Sequence, residues 1–319
     1  MKSSLRTLYR AALRALERTA HRLGVNYARA GDFYSPLPLR ERLEATRARW
    51  DRPSGLVGVD LLRERQAALF SSLVGRCGAE LAALPRYAEL AHAGFGPGFT
   101  EVDAAVAYMV LRALKPRRYV EIGSGLSTAV ALLAAERNAG EGSPCAVTAV
   151  DPFPSARLLA RTDLELVVAE VQDLEPAWFE RLGAGDVLFI DSTHVVKIDG
   201  DVPHLYLEAV PRLAPGVVVH AHDIPWPRLT PHPAETYITR AKWPMFWTET
   251  MLLTAFLAFN REFRPLLSTS LLRHQDEALL AAGLPHYRAL VPADHDTHAG
   301  SLWFCREPVP PALGGRAPH

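Results

Sequence analysis

Four short stretches of this chain gather side chains that can do chemistry. Asp191-Ser-Thr-His194 sets an imidazole three residues beyond a carboxylate. His222-Asp223 joins the same two groups in adjacent positions. Glu121-Ile-Gly123-Ser124-Gly125 is a carboxylate followed by a glycine turn, which runs on into Leu126-Ser127-Thr128. Asp151 and the pair Gln172-Asp173 each close a later apolar run. Carboxylates brought together repel unless one is protonated or a cation sits between them. A hard divalent ion such as Mg²⁺ suits oxygen ligands. This makes Asp191 and Asp223 candidate ligands. His222 is either a nitrogen ligand or a group behind the ligands. His194 is within reach of a substrate hydroxyl held there, and a neutral imidazole near pH 7 is a good general base.

The elements that must position these groups alternate along the chain. Tyr119 to Ile122 reads as a buried strand that ends in the glycine turn, and Ala129 to Ala135 reads as the helix that follows. Gly123 and Gly125 let the backbone turn and let a ligand come close. Strands are expected at Ala146–Val150, Leu164–Ala169, Asp186–Asp191, Val217–Asp223, Phe263–Leu267 and Ser301–Cys305. Helices are expected at 3–23, 40–49, 61–84, 202–213 and 246–259. Thr100-Glu-Val-Asp103 has the form of a capping box opening a further helix. Near-continuous apolar strands separated by helices imply a parallel sheet covered on both faces. In a doubly wound sheet the strands ending at Asp191 and Asp223 lie side by side, so the two carboxylates face each other at one edge. His220 and His222 alternate along one strand, one expected toward the site and the other toward a helix face. Asp294-His-Asp-Thr-His298 has metal-like spacing but reads as a solvated loop.

The glycine turn separates two cofactor classes. A dinucleotide fingerprint wants a third glycine or alanine where this chain has Thr128. Glu121-x-Gly123-x-Gly125 with Asp151 ending the next strand resembles the class I S-adenosylmethionine-dependent methyltransferases. The resemblance implies an α/β fold, a doubly wound, mostly parallel seven-stranded sheet with one antiparallel strand near the C-terminus. It implies that the loop Gly123, Ser124, Gly125, Ser127 and Thr128 lies under the amino-acid part of the cofactor. Asp151 would take the ribose hydroxyls, since a carboxylate accepts both hydrogen bonds of a diol strongly. Gln172 or Asp173 would lie near the adenine. Asp191, His194 and Asp223 resemble the site of the metal-dependent small-molecule O-methyltransferases, where an acidic pair follows strand five. Here that pair is His222-Asp223. With Asp191-Ser-Thr-His-Val-Val-Lys197 and His220-Ala-His-Asp-Ile224, the phrases Phe33-Tyr-Ser-Pro36, Phe246-Trp-Thr-Glu249 and Phe256-Leu-Ala-Phe-Asn260 resemble a less characterised methyltransferase branch over roughly residues 30–306. The implied reaction is methyl transfer to a small-molecule hydroxyl. A non-methylating, oxygenase-like use of the fold and a non-catalytic cofactor-binding subunit are the alternatives. Trp226, Trp243, Phe246 and Trp247 are expected to wall the acceptor pocket or to pack on helices. Glu249 is expected to face the acceptor or to favour a helix N-terminus.

The bulk numbers agree with this reading. Lys+Arg and Asp+Glu both number 35, so nucleic acid is not the expected partner. Three widely spaced cysteines form no disulfide framework and suggest a reducing, cytoplasmic setting. No apolar run approaches the ~18 residues of a membrane span, and no signal peptide is evident. The expected organisation is a helical arm or lid at 1–97, the cofactor domain at 98–307 and a Pro-rich tail at 308–319. Arg6, Arg10, Arg14, Arg18 and Arg22 keep charge on one drifting face of the first helix, a solvated face or a partner surface. The arm is the candidate contact for a homo-oligomer.

Overall fold

A computed structural model describes residues 2–25, 33–96, 98–292, 294 and 297–314. Asp32, Pro97, His295, Asp296, residues 315–319 and the side chains of Arg6 and Arg10 lie outside the described residues. The chain divides into two compact units, Met1–Arg49 and Trp50–His319. The first unit carries helix α1 (Lys2–Arg22) and a short helix, Arg40–Ala45. In it Phe33 and Tyr34 meet edge to face with ring centroids 5.4 Å apart.

The second unit is built on seven strands. They are β1 (Arg118–Ile122), β2 (Ala146–Val150), β3 (Glu165–Val167), β4 (Val187–Ile190), β5 (Val218–Ala221), β6 (Phe263–Ser268) and β7 (Leu302–Arg306). Their order is β3-β2-β1-β4-β5-β7-β6. β1 to β5 are parallel, and β7 runs antiparallel to both β5 and β6. This is the expected doubly wound sheet. The expected strand 164–169 is only three residues long in the sheet, because its register with β2 ends at Val167 and the chain turns into Val171–Asp173.

The apolar run Val-Leu-Phe-Ile makes β4 central and buried throughout, and its residues alternate between two cores. Val187 and Phe189 join one core with helices α2 (Arg63–Leu81), α3 (Glu101–Leu114) and α4 (Leu126–Gly140). Leu188 and Ile190 join the other, with the helical segment 201–212 and helix α5 (Glu249–Leu257). Helix α6 (Thr269–Gly283) follows β6 directly. α2 lies in the second unit, where Gln66 Oε1 accepts from the Ser268 amide at 3.0 Å, not in a separate appendage. α5 is shorter than expected at its start, because the first amides turn outward: Thr248 and Glu249 donate to the His194 carbonyl at 2.8 and 3.0 Å.

Candidate active site

The turn after β1 needs its glycine. Gly123 has φ +81°, and a Cβ there would lie 2.0 Å from the Asp191 carbonyl oxygen. The end of β1 and the end of β4 can therefore touch only through glycine. Gly125 has extended φ (170°), and a Cβ there would stand 3.1 Å from the Phe95 carbonyl. Close approach, rather than a tight turn, is the constraint at Gly125. Thr128, in place of a third glycine, closes the loop with its hydroxyl, which accepts from the Gly125 amide at 2.9 Å. Glu121 points away from the open side. It is fully buried, accepts from the Ser127 hydroxyl, and burial pushes its carboxyl up to about 8. Asp151 ties the second strand to the loop, with Oδ2 taking the Ser124 amide at 2.9 Å and Oδ1 the Phe153 amide at 2.7 Å.

These loops border a cleft of ≈ 510 Å³. Gly123, Ser124, Gly125, Ser127, Asp151, Gln172 and Asp191 line it. Glu121 and Thr128 shape the loop from behind and do not line it, and Asp173 is exposed outside it. A second cleft of ≈ 440 Å³ shares Gly98 and Phe99 with the first. Asp223, Tyr237, Met245 and Trp247 line this one.

Asp191 lines the first cleft and Asp223 the second, and His194, which lines neither, reaches both carboxylates with Nε2. One ligand atom of each lies within 4.8 Å of the others. His194 Nε2 is 3.2 Å from Asp191 Oδ1 and 3.5 Å from Asp223 Oδ2. Its other nitrogen, Nδ1, is 2.7 Å from Glu249 Oε2, and Tyr206 donates its hydroxyl to Glu249 Oε1 at 2.6 Å. Trp247 covers the imidazole with ring centroids 4.4 Å apart. His194 and Asp223 both hold left-handed backbone (φ +61° and +56°). Such strain persists only where the surroundings over-determine it. Burial opposes a charge on His194, but the carboxylates of Asp191 and Glu249 outweigh it and raise its pKa well above the ordinary value. Asp191 is likewise pushed up by burial, yet His222 and His194 hold it below the usual carboxylate range. Burial lifts Asp223 above that range.

His220 and His222 share one face, as residues two apart on a strand must. Both are buried on the α3 side. His220 stacks on Trp303 (3.8 Å) and pairs with the Ser301 hydroxyl at 2.7 Å, so it is a satisfied core residue. His222 Nε2 meets Asp103 Oδ2 at 3.2 Å. Thr100 caps α3 as expected, accepting from the Asp103 amide at 3.3 Å, but the Asp103 carboxylate takes the Thr100 hydroxyl (3.2 Å) instead of the cap's backbone amide. Asp103 is fully buried, and it also accepts from the Thr269 hydroxyl (2.6 Å) and the Gly300 and Ser301 amides (2.8 and 3.2 Å). The sequence reading missed this role. The signal was an acid one turn into a helix whose neighbours Val102 and Val106 are apolar. Asp201 was also missed: it clamps the loop after β4 by accepting from the Thr193 amide and hydroxyl, both at 2.7 Å.

Of the four expected aromatics, Trp247 lines the second cleft. Trp226 is buried with its indole on Thr254 (2.9 Å), and Trp243 is 79% exposed. Glu249 is buried behind His194 and does not face the cleft. Among the described residues no helix is long and apolar enough to cross a membrane.

A family profile described as "Methyltransferase domain" matches residues 120–224. No curated protein matches the sequence. Solved structures similar to this chain include TomG, an O-methyltransferase of tomaymycin synthesis from Streptomyces achromogenes solved with S-adenosylmethionine. It is 13% identical, the match covers 75% of this chain and 88% of that one, and the TM-score is 0.40. An O-methyltransferase from Bacillus cereus, solved with S-adenosylhomocysteine, is 12% identical over 75% of this chain and 91% of its own, with a TM-score of 0.40. The methyltransferase MycE of the mycinamycin pathway, solved with Mg, S-adenosylhomocysteine and mycinamycin VI, is 12% identical over 74% of this chain and 62% of its own, with a TM-score of 0.37. The segment that matches the methyltransferase-domain profile, residues 120–224, runs from β1 through β5 and carries the glycine loop, Asp151, Asp191, His194 and Asp223.

Proposed function

We propose that this protein transfers the methyl group of S-adenosylmethionine to a hydroxyl of a small molecule. The observation that carries the reading is the cluster of Asp191, His194 and Asp223 beside two adjoining clefts. Asp191 lines the cleft over the glycine loop, and Asp223 lines the other. The first cleft suits the cofactor. Asp151 Oδ2 accepts from the Ser124 amide and hydroxyl and Oδ1 from the Phe153 amide, which leaves Oδ1 a lone pair for a ribose hydroxyl. Gln172 lines the same cleft and is the side chain this reading sets beside the adenine. The second cleft, with Trp247, Tyr237 and Met245, suits an acceptor with an apolar body and a hydroxyl at the junction.

The sulfonium methyl is already activated, so the chain must position the acceptor and remove its proton. The carboxylates of Asp191 and Asp223, each with an oxygen within 4.8 Å of the other's, form an oxygen donor pair that fits a divalent cation. Asp191 and Asp223 would hold it, and a bound cation lowers the pKa of an acceptor hydroxyl and orients it. With those carboxylates engaged, His194 keeps only Glu249 as its close acidic partner. Glu249 fixes Nδ1–H, which leaves the Nε2 lone pair aimed at the junction to accept the hydroxyl proton.

Incubation with S-adenosylmethionine, divalent cation and a panel of hydroxylated sugars, phenols and macrocycles tests this. A product heavier by one CH₂, with S-adenosylhomocysteine formed in equal amount, supports it. A gain of oxygen would point to the oxygenase-like use, and cofactor binding with no turnover on any acceptor to a partner subunit.

A further inference from the structure

His222 turns its second ring nitrogen toward the two candidate ligands, Asp191 and Asp223. It is 1% exposed, and its Nδ1 makes no hydrogen bond. That atom stands 3.4 Å from Asp191 Oδ2 and 3.8 Å from Asp223 Oδ2. A buried ring nitrogen without a hydrogen bond is destabilising unless something occupies it. Its orientation is also fixed at unusual expense. Asp103, fully buried, holds Nε2 at 3.2 Å and is itself held by Thr269, Gly300 and Ser301. A carboxylate gripping one imidazole nitrogen while the other faces two further carboxylates is the arrangement that aims a histidine at a metal. Both nitrogens of His194 lie closer to carboxylates, Nε2 3.2 Å from Asp191 and Nδ1 2.7 Å from Glu249.

We infer that the cation site is completed by Nδ1 of His222, with Asp103 as its positioning residue, and that this nitrogen makes the site select a borderline transition ion of the Mn²⁺ or Co²⁺ kind over Mg²⁺. The inference rests on the reading that Asp191 and Asp223 hold a cation. The chemistry is general: carboxylate-only sites suit Mg²⁺, whereas imidazole raises affinity for first-row transition ions and adds little for a hard ion that keeps its waters.

The test uses the full chain stripped with a chelator. Mg²⁺, Mn²⁺ and Co²⁺ are titrated by calorimetry, and the Co²⁺ form is followed by its visible absorption. We expect one ion per chain, with Co²⁺ binding at least ~100-fold tighter than Mg²⁺. His222→Gln should cut Co²⁺ affinity by about 10–100-fold, shift the cobalt spectrum and leave Mg²⁺ affinity nearly unchanged; Asp103→Asn should move Co²⁺ the same way by less. Thermal melts confirm that the variants fold, and the wild-type preference stands as a test if they do not. Equal or tighter Mg²⁺ binding by the wild type would overturn the inference while leaving the cation reading intact. So would a preference lost in His194→Gln and kept in His222→Gln. Failure of all three ions to bind the wild type would instead sink the cation reading itself, and the inference with it.

Discussion

At the scale of single residues, His194 is held through both ring nitrogens, and each contact predicts something different. His194→Gln should lower turnover by about 10²–10⁴-fold, the usual worth of a positioned base, while S-adenosylhomocysteine binds with unchanged enthalpy in calorimetry. Full turnover in the variant would remove His194 from the reaction. Glu121 makes a separate prediction, about pH. Burial pushes its carboxyl up to about 8, against about 4.3 in an unfolded chain. Between those values the folded state keeps a proton that the unfolded state has released. Stability therefore falls by about 1.4 kcal/mol per unit as pH rises, and levels off above about 8. Glu121→Gln lacks that slope. Its advantage over the wild type in urea midpoint should be larger near about pH 8 than near about pH 5. An equal difference at both would contradict the assignment. Asp191, His194 and Asp223 were legible as a group because each follows an apolar run that had to be a strand. Asp103 and Glu249 were not, because their roles depend on which way a helix faces when it reaches the sheet, and spacing along the chain does not carry that.

At the scale of elements, the strand–turn–helix of β1 and α4 does most to shape the first cleft. Gly123 has left-handed backbone and a wall of Asp191 backbone where a side chain would begin. Gly123→Ala should therefore cost about 1–3 kcal/mol from backbone strain alone and more from the clash. It should also separate the ends of β1 and β4. We expect a lower melting temperature together with lost S-adenosylhomocysteine binding; an alanine variant that binds like the wild type would mean the contact is not needed. The alternation of apolar strands with helices was readable before any coordinates, since buried parallel strands leave near-continuous apolar runs. Boundaries were less so. The start of α5 is set by a carbonyl more than fifty residues away in sequence, at His194, and no local propensity encodes such a partner.

At the scale of the whole molecule, both cores, all seven strands and every candidate site residue belong to Trp50–His319. A chain that begins at Trp50 should fold cooperatively and bind S-adenosylhomocysteine with the affinity of the full chain. Lost binding on removal of 1–49 would give the N-terminal unit the part of the lid expected from its aromatic and proline residues. The central claim concerns the junction: cofactor in one cleft, acceptor in the other, Asp191, His194 and Asp223 between them. A crystal structure with S-adenosylhomocysteine and Mn²⁺, with anomalous data, tests it most directly. The account predicts the cofactor along Gly123–Ser127 with its ribose on Asp151 and its sulfur toward Asp191, and an anomalous peak between Asp191 and Asp223. A cofactor bound elsewhere, or a junction without the peak at saturating Mn²⁺, would contradict it.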